Sequence, residues 1–142
     1  MKYFAATAFA AAATAGLAHS GVINPAVLDR MDAMSTIADE MKALAGMARG
    51  EVAFDAETVA QRMETIAAVA GEVPVLFEAA EMDPASEAAP TIWTSYPEFT
   101  RRAVETVEAA DAGAGAETPT ELKDALGALA QTCRACHESF KI

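Results

Sequence analysis

Five residues near the end of the chain carry the chemistry: Cys133-Arg134-Ala135-Cys136-His137. On a helix, thiols at i and i+3 and an imidazole at i+4 share one face. C-x-x-C-H is the attachment signature of c-type haem. Both thiols can reach the two vinyl groups of one porphyrin, and the imidazole can meet the iron from the same face. Three other readings of these residues stay open. C-x-x-C marks a thiol–disulfide centre near a βαβ pattern, but no strand pattern precedes it here. A structural zinc site needs four ligands, and the chain holds 2 Cys and 2 His, with His19 in the leader described below. The plainest alternative is two core cysteines beside a chance histidine, because Cys is often a core residue.

The elements that must position this motif follow from composition and spacing. A chain of 142 residues is one domain by length. Its net charge of −11 argues against a nucleic-acid binder, which needs a basic footprint, and against docking on anionic lipid. Aromatic residues make up only 6%, while Ala, Met, Leu and Glu favour helix. Residues 1–20 read as a cleaved secretory signal peptide: Lys2, an uncharged run from Tyr3 to Ala18, then Ala18-His19-Ser20 at the cut. A cut after Ala18 competes with one after Ser20. The run is too short and too weakly apolar to span a membrane. Residues 21–142 are then the mature haem-binding domain, exported to the periplasm, one unit more negative once Lys2 is lost.

Four amphipathic helices are expected in that domain. Asn24-Pro25 opens the first, with an apolar stripe of Leu28, Met31, Met34, Ile37, Met41, Leu44 and Met47, and Gly50 stops it. Asp55 caps the second, with Val59, Met63, Ile66, Val69 and Val73, and Pro74 should end or kink it. A long loop follows over about residues 78–94. Ser95-Tyr96-Pro97-Glu98 and Thr118-Pro119-Thr120-Glu121 fit capping boxes for the third and fourth helices. The third buries Phe99, Ala103, Val107 and Ala110. The fourth carries a heptad seam of Leu122, Leu126, Leu129, Cys133, Cys136 and Phe140. The expected fold is all-α, an antiparallel up-down-up-down four-helix bundle, with haem c near the C-terminal end of the fourth helix. No pair of carboxylates is placed for acid–base catalysis, so the chain reads as a non-enzyme.

The chain resembles the cytochrome c′ family, the class II c-type cytochromes. The resemblance rests on Cys133 to Lys141, the Ile92-Trp93 pair, the Gly50…Phe54-Asp55 turn, and Arg30 followed by Met34. It implies a four-helix bundle with covalent haem on Cys133 and Cys136 and His137 as proximal iron ligand. It also implies an Arg30 near the haem propionates, and pairing of two copies through their first two helices, which the Ala- and Met-rich faces here would permit. The chain departs from many members in carrying Lys141 where they carry Arg. Lys is a point charge without the planar fork of Arg. At residue 34, five-coordinate members often carry a bulky side chain that does not ligate.

With the signal peptide removed, His137 is the only histidine, so the distal iron ligand is a Met or the site is open. In an antiparallel bundle, the end of the fourth helix lies beside the start of the first. Met31 and Met34 lie roughly 9 and 14 Å along the first helix, at ~1.5 Å per residue, and either can meet the haem. The resemblance singles out Met34, which falls where the low-spin, six-coordinate branch carries Met. The leading expectation is an electron carrier with His/Met ligation, its acidic surface steering redox partners with a basic docking surface. The rival is a five-coordinate haem protein binding nitric oxide or carbon monoxide at an open distal face.

Overall fold

The computed structural model describes residues 21–142; the signal-peptide reading, with both cut sites, lies outside these residues. Asn24 caps α1 (Pro25–Ala48), its side chain accepting from the Val27 N–H at 3.2 Å. The chain leaves α1 through Gly50, whose φ of +74° suits a residue without Cβ. Asp55 caps α2 (Ala56–Leu76) through the Thr58 N–H at 2.7 Å. Pro74 lies inside α2, but in its last turn, and the helix closes at Phe77 within one further turn. α4 (Tyr96–Gly113) and α5 (Pro119–Phe140) are the third and fourth expected helices.

Two local expectations need correction. The long connection is not all loop, because Thr91–Thr94 forms a short helix, α3. Ser95 does stand at the start of α4, but its side chain makes no capping hydrogen bond. The Glu98 N–H donates to the Ser95 carbonyl at 3.0 Å and the Ser95 N–H to the Thr91 carbonyl at 2.9 Å, while the Glu98 carboxylate bridges Arg101 and Arg102, so neither half of the box forms. At α5 the box is complete. Thr118 accepts from the Glu121 N–H at 3.2 Å, and the Glu121 carboxylate accepts from the Thr118 N–H at 3.1 Å.

The four long helices pack as a ring, α1 on α2, α2 on α4, α4 on α5 and α5 on α1. This is the antiparallel up-down-up-down bundle. At the end where α1 runs out and α5 begins, Leu44, Met63, Ile66, Leu122 and Leu129 are wholly buried in one cluster. At the other end, Phe77, Ile92, Phe99 and Phe140 form a second cluster, and Met34 packs against both. Burial along α1 departs from the expected stripe. Its first half buries Val27, Arg30 and Ala33, leaving Leu28, Met31 and Met34 half-buried.

Candidate functional site

At the second cluster the bundle does not close on itself. A cavity of about 420 Å³ opens there, lined by residues of α1, α2, α4, α5 and the loop before α3, within the ~300–1,000 Å³ of small-molecule and cofactor sites. α1 contributes Val27, Arg30, Met31, Met34, Ser35 and Ala38; α5 contributes Cys136, His137 and Phe140, followed by Lys141. Aromatic rings brace one wall. Phe99 lies 5.1 Å from Phe77 and 5.3 Å from Phe140, the latter pair edge to face at 85°, an arrangement favoured by the ring quadrupoles.

The end of α5 that carries the motif is held against the loop. The Ala89 N–H donates to the Phe140 carbonyl at 2.9 Å, and the Ile142 N–H to the Glu87 carbonyl at 2.9 Å. Thr91 donates its hydroxyl to the Ser139 carbonyl at 2.9 Å. The bonds to Phe140 and Ser139 satisfy carbonyls that a helix end would leave unpaired. Lys141 pairs with Glu87 at 3.0 Å beside them.

Cys133 and Cys136 are free, half-buried thiols. Burial pushes Cys133 up against a weaker lowering by Thr132. Burial and then the neighbouring Cys133 push Cys136 up to about 11. Redox-active C-x-x-C centres work with lowered thiol pKa values, so these environments speak against the thiol–disulfide reading. Zinc also lacks its ligand set: among the described residues, no group of three or more His, Cys, Asp or Glu side chains could hold a metal ion. His137 is exposed, yet surrounding protein atoms desolvate its ring. That burial, then the charge of Lys141, pushes its pKa below the ordinary value, opposed by Glu87. A neutral imidazole is the form that ligates a metal. Two unpaired thiols one helical turn apart, the adjacent imidazole and an aromatic-walled cavity fit haem c.

Of the distal candidates, Met31 and Met34 both line this cavity. Met82 lies in the loop and is 44% exposed. Arg30 holds a position that sequence reasoning did not anticipate. It is only 3% exposed, and burial lowers its pKa against the raising effect of Glu81. Its guanidinium donates to the carbonyls of Leu76 at 2.8 Å, Ala79 at 2.6 Å and Glu81 at 2.6 Å. It also lies over the rings of Phe77 at 4.7 Å and Trp93 at 5.6 Å, within cation–π range. Three of its five donors are thereby engaged, leaving one N–H on each terminal nitrogen. Trp93 is more than a packing anchor, because its indole N–H donates to the Phe77 carbonyl at 2.8 Å. A sequence signal was available in a lone Arg between Val27 and Ala33 on the buried face, but its partners lie 46–51 residues away.

The family model for cytochrome C′ matches residues 25–141. A cytochrome c′ of Pararhodospirillum photometricum is 35% identical over 116 residues, covering 79% of this chain and 92% of the relative. A cytochrome c-556 of Agrobacterium fabrum is 32% identical over 112 residues, covering 77% and 75%. The solved structure of a cytochrome c′ from Rhodopseudomonas palustris matches with a TM-score of 0.77 at 25% identity, over 84% of this chain and 98% of that one.

Proposed function

The chain belongs to the cytochrome c′ family of haem proteins, and on that premise we propose that it is a periplasmic single-electron carrier with His/Met axial ligation. The single observation that carries this reading is that one cavity is lined by Met34 from α1 together with Cys136 and His137 from α5. Bound haem c supplies an iron that cycles between the ferric and ferrous states. Cys133 and Cys136 would hold it as thioethers, His137 as the proximal ligand and Met34 as the distal one. Arg30 would offer its two remaining N–H groups to a propionate, a charge-assisted contact. A Met34 thioether ligand would favour the ferrous state. The aromatic wall and the bonds tying α5 to the loop keep the ligand-bearing elements fixed, so little rearrangement accompanies electron transfer. Residues 21–142 form the exported unit on this reading. Among the described residues, no helix is long and apolar enough to cross a membrane.

The ferrous absorption spectrum of the purified protein, with and without carbon monoxide, tests this function. A low-spin spectrum unchanged by carbon monoxide is expected. A high-spin spectrum that shifts on adding the gas would move the chain to the gas-binding side of its family.

A further inference from the structure

Next to the haem cavity, on the outer side of α1, lies a shallow groove of about 370 Å³. Ala26, Asp29, Val75, Leu76, Glu78 and Ala79 line it. Its lining combines four apolar residues with the carboxylates of Asp29 and Glu78. The adjoining loop adds Glu81, Asp83 and Glu87, but Asp83 is buried on backbone N–H groups, Glu81 accepts from Asn24 and Glu87 pairs with Lys141, so the groove's own carboxylates are Asp29 and Glu78. Four of the six large exposed apolar side chains among the described residues also fall on this end of the bundle: Ile23 at 87%, Val75 at 72%, Met82 at 44% and Ile142 at 75%. Docking surfaces combine apolar and polar groups. Clustered exposed apolar residues mark such surfaces more often than chance.

We propose that this groove is where the electron-transfer partner docks, and that the partner is a protein presenting Lys or Arg side chains around a small apolar contact. The inference rests on the electron-carrier reading and deepens it. Charge complementarity selects this occupant. A basic side chain can lay its aliphatic stem on Ala26, Val75 and Ala79 and bring its cationic head to Asp29 and Glu78, a division of labour natural to Lys and Arg. A second copy of this chain is the poorer occupant. A two-fold contact sets the same patch against itself, so Asp29 and Glu78 would meet their own like charges, a costly arrangement. The position also suits electron transfer. Asp29 directly precedes Arg30 and Met31 in α1, so groove and cavity lie on either side of the same helical turn. Arg30 bolts the carbonyls of Leu76, Ala79 and Glu81 to the cavity wall, which keeps the docking loop in register with the site behind it.

The test uses the holoprotein and a lysine-rich, mitochondrial-type cytochrome c as the probe partner. Binding is followed by amide NMR shifts, and electron transfer by stopped flow at low and high salt. Asp29→Asn with Glu78→Gln is compared with Glu64→Gln with Glu108→Gln, an equal charge change at exposed positions elsewhere. The groove pair should weaken binding and slow the second-order rate roughly tenfold at low salt, with the difference collapsing at high salt. The control pair should change either by less than about twofold. Equal losses from both pairs, or amide shifts that avoid residues 26–31 and 75–82, would overturn the proposal. So would concentration-dependent shifts at the groove without any partner, which would assign it to a second copy. Binding at the groove without electron transfer would leave the docking surface standing and defeat the electron-carrier reading, so the two failures are distinct.

Discussion

At one end of the bundle, Leu44, Met63, Ile66, Leu122 and Leu129 from α1, α2 and α5 are wholly buried against one another. Gly113 of α4 approaches so closely that a Cβ placed there would lie 2.9 Å from the Met63 terminal methyl. At the other end, the same helices stop short of closing and surround a cavity walled by Phe77, Phe99 and Phe140. The first end is apolar packing at interior density. The second holds together through directional contacts: the three carbonyls on Arg30, the Trp93 indole on Phe77, and the hydrogen bonds between α5 and the loop. Met34 touches both clusters. The contrast is between an end closed by apolar packing and an end framed by polar contacts around a cavity that Cys136 and His137 line.

The sharpest way to break this comparison is to remove both tethers. Cys133→Ala with Cys136→Ala should abolish covalent haem and leave a destabilised or molten product, because an unfilled core of this size costs several kcal/mol. Retention of haem through acid–acetone extraction would refute the attachment. At the closed end, Leu122→Ala should cost about 2–5 kcal/mol by creating a cavity while leaving the holoprotein spectrum unchanged; denaturant unfolding with parallel spectra checks both halves of the statement. A spectral change would mean that the two ends are not separable. Gly113→Ala should cost less, about 1–3 kcal/mol by overpacking against Met63, again without spectral change.

The smallest effect concerns acid. Backbone N–H groups of Ala85, then Ile23 and Asn24, hold the Asp83 carboxyl below its ordinary value, against desolvation. A carboxyl with a lowered native pKa stabilises fully above its unfolded value, about 4, and loses that contribution as pH falls through the lower native one. Asp83→Asn should therefore lower stability at neutral pH and flatten the acid limb of the stability profile below about pH 4. Parallel loss in variant and parent across that range would show that the carboxylate contributes nothing.

Much of this architecture was legible from the residues, for physical reasons that differ by element. The caps at Asn24, Asp55 and Thr118 are local: each side chain bonds a backbone N–H three residues on. The haem motif is local too, with its residues one turn apart on α5. Ser95 and Glu98 carry the same pattern as Thr118 and Glu121, yet that box does not form: the preceding short helix takes the Ser95 N–H, and arginines three and four residues along α4 hold the Glu98 carboxylate. Arg30 was harder still. Nothing nearby in sequence reveals that the C-terminus of α2 and the following loop will offer it carbonyls. The half-burial of Met31 and Met34 likewise follows from the cavity they line, a feature of assembled helices and not of any one of them.

The proposed function stands or falls on whether Met34 of α1 and His137 of α5, which line one cavity, would both ligate the same haem iron. The most direct test is the spectrum of holoprotein Met34→Ala beside Met31→Ala, each reduced and exposed to carbon monoxide. The account predicts that Met34→Ala alone turns a low-spin iron high-spin and opens it to the gas, while Met31→Ala keeps the parent spectrum. A parent that is already high-spin, or a site opened by Met31→Ala instead, would contradict it.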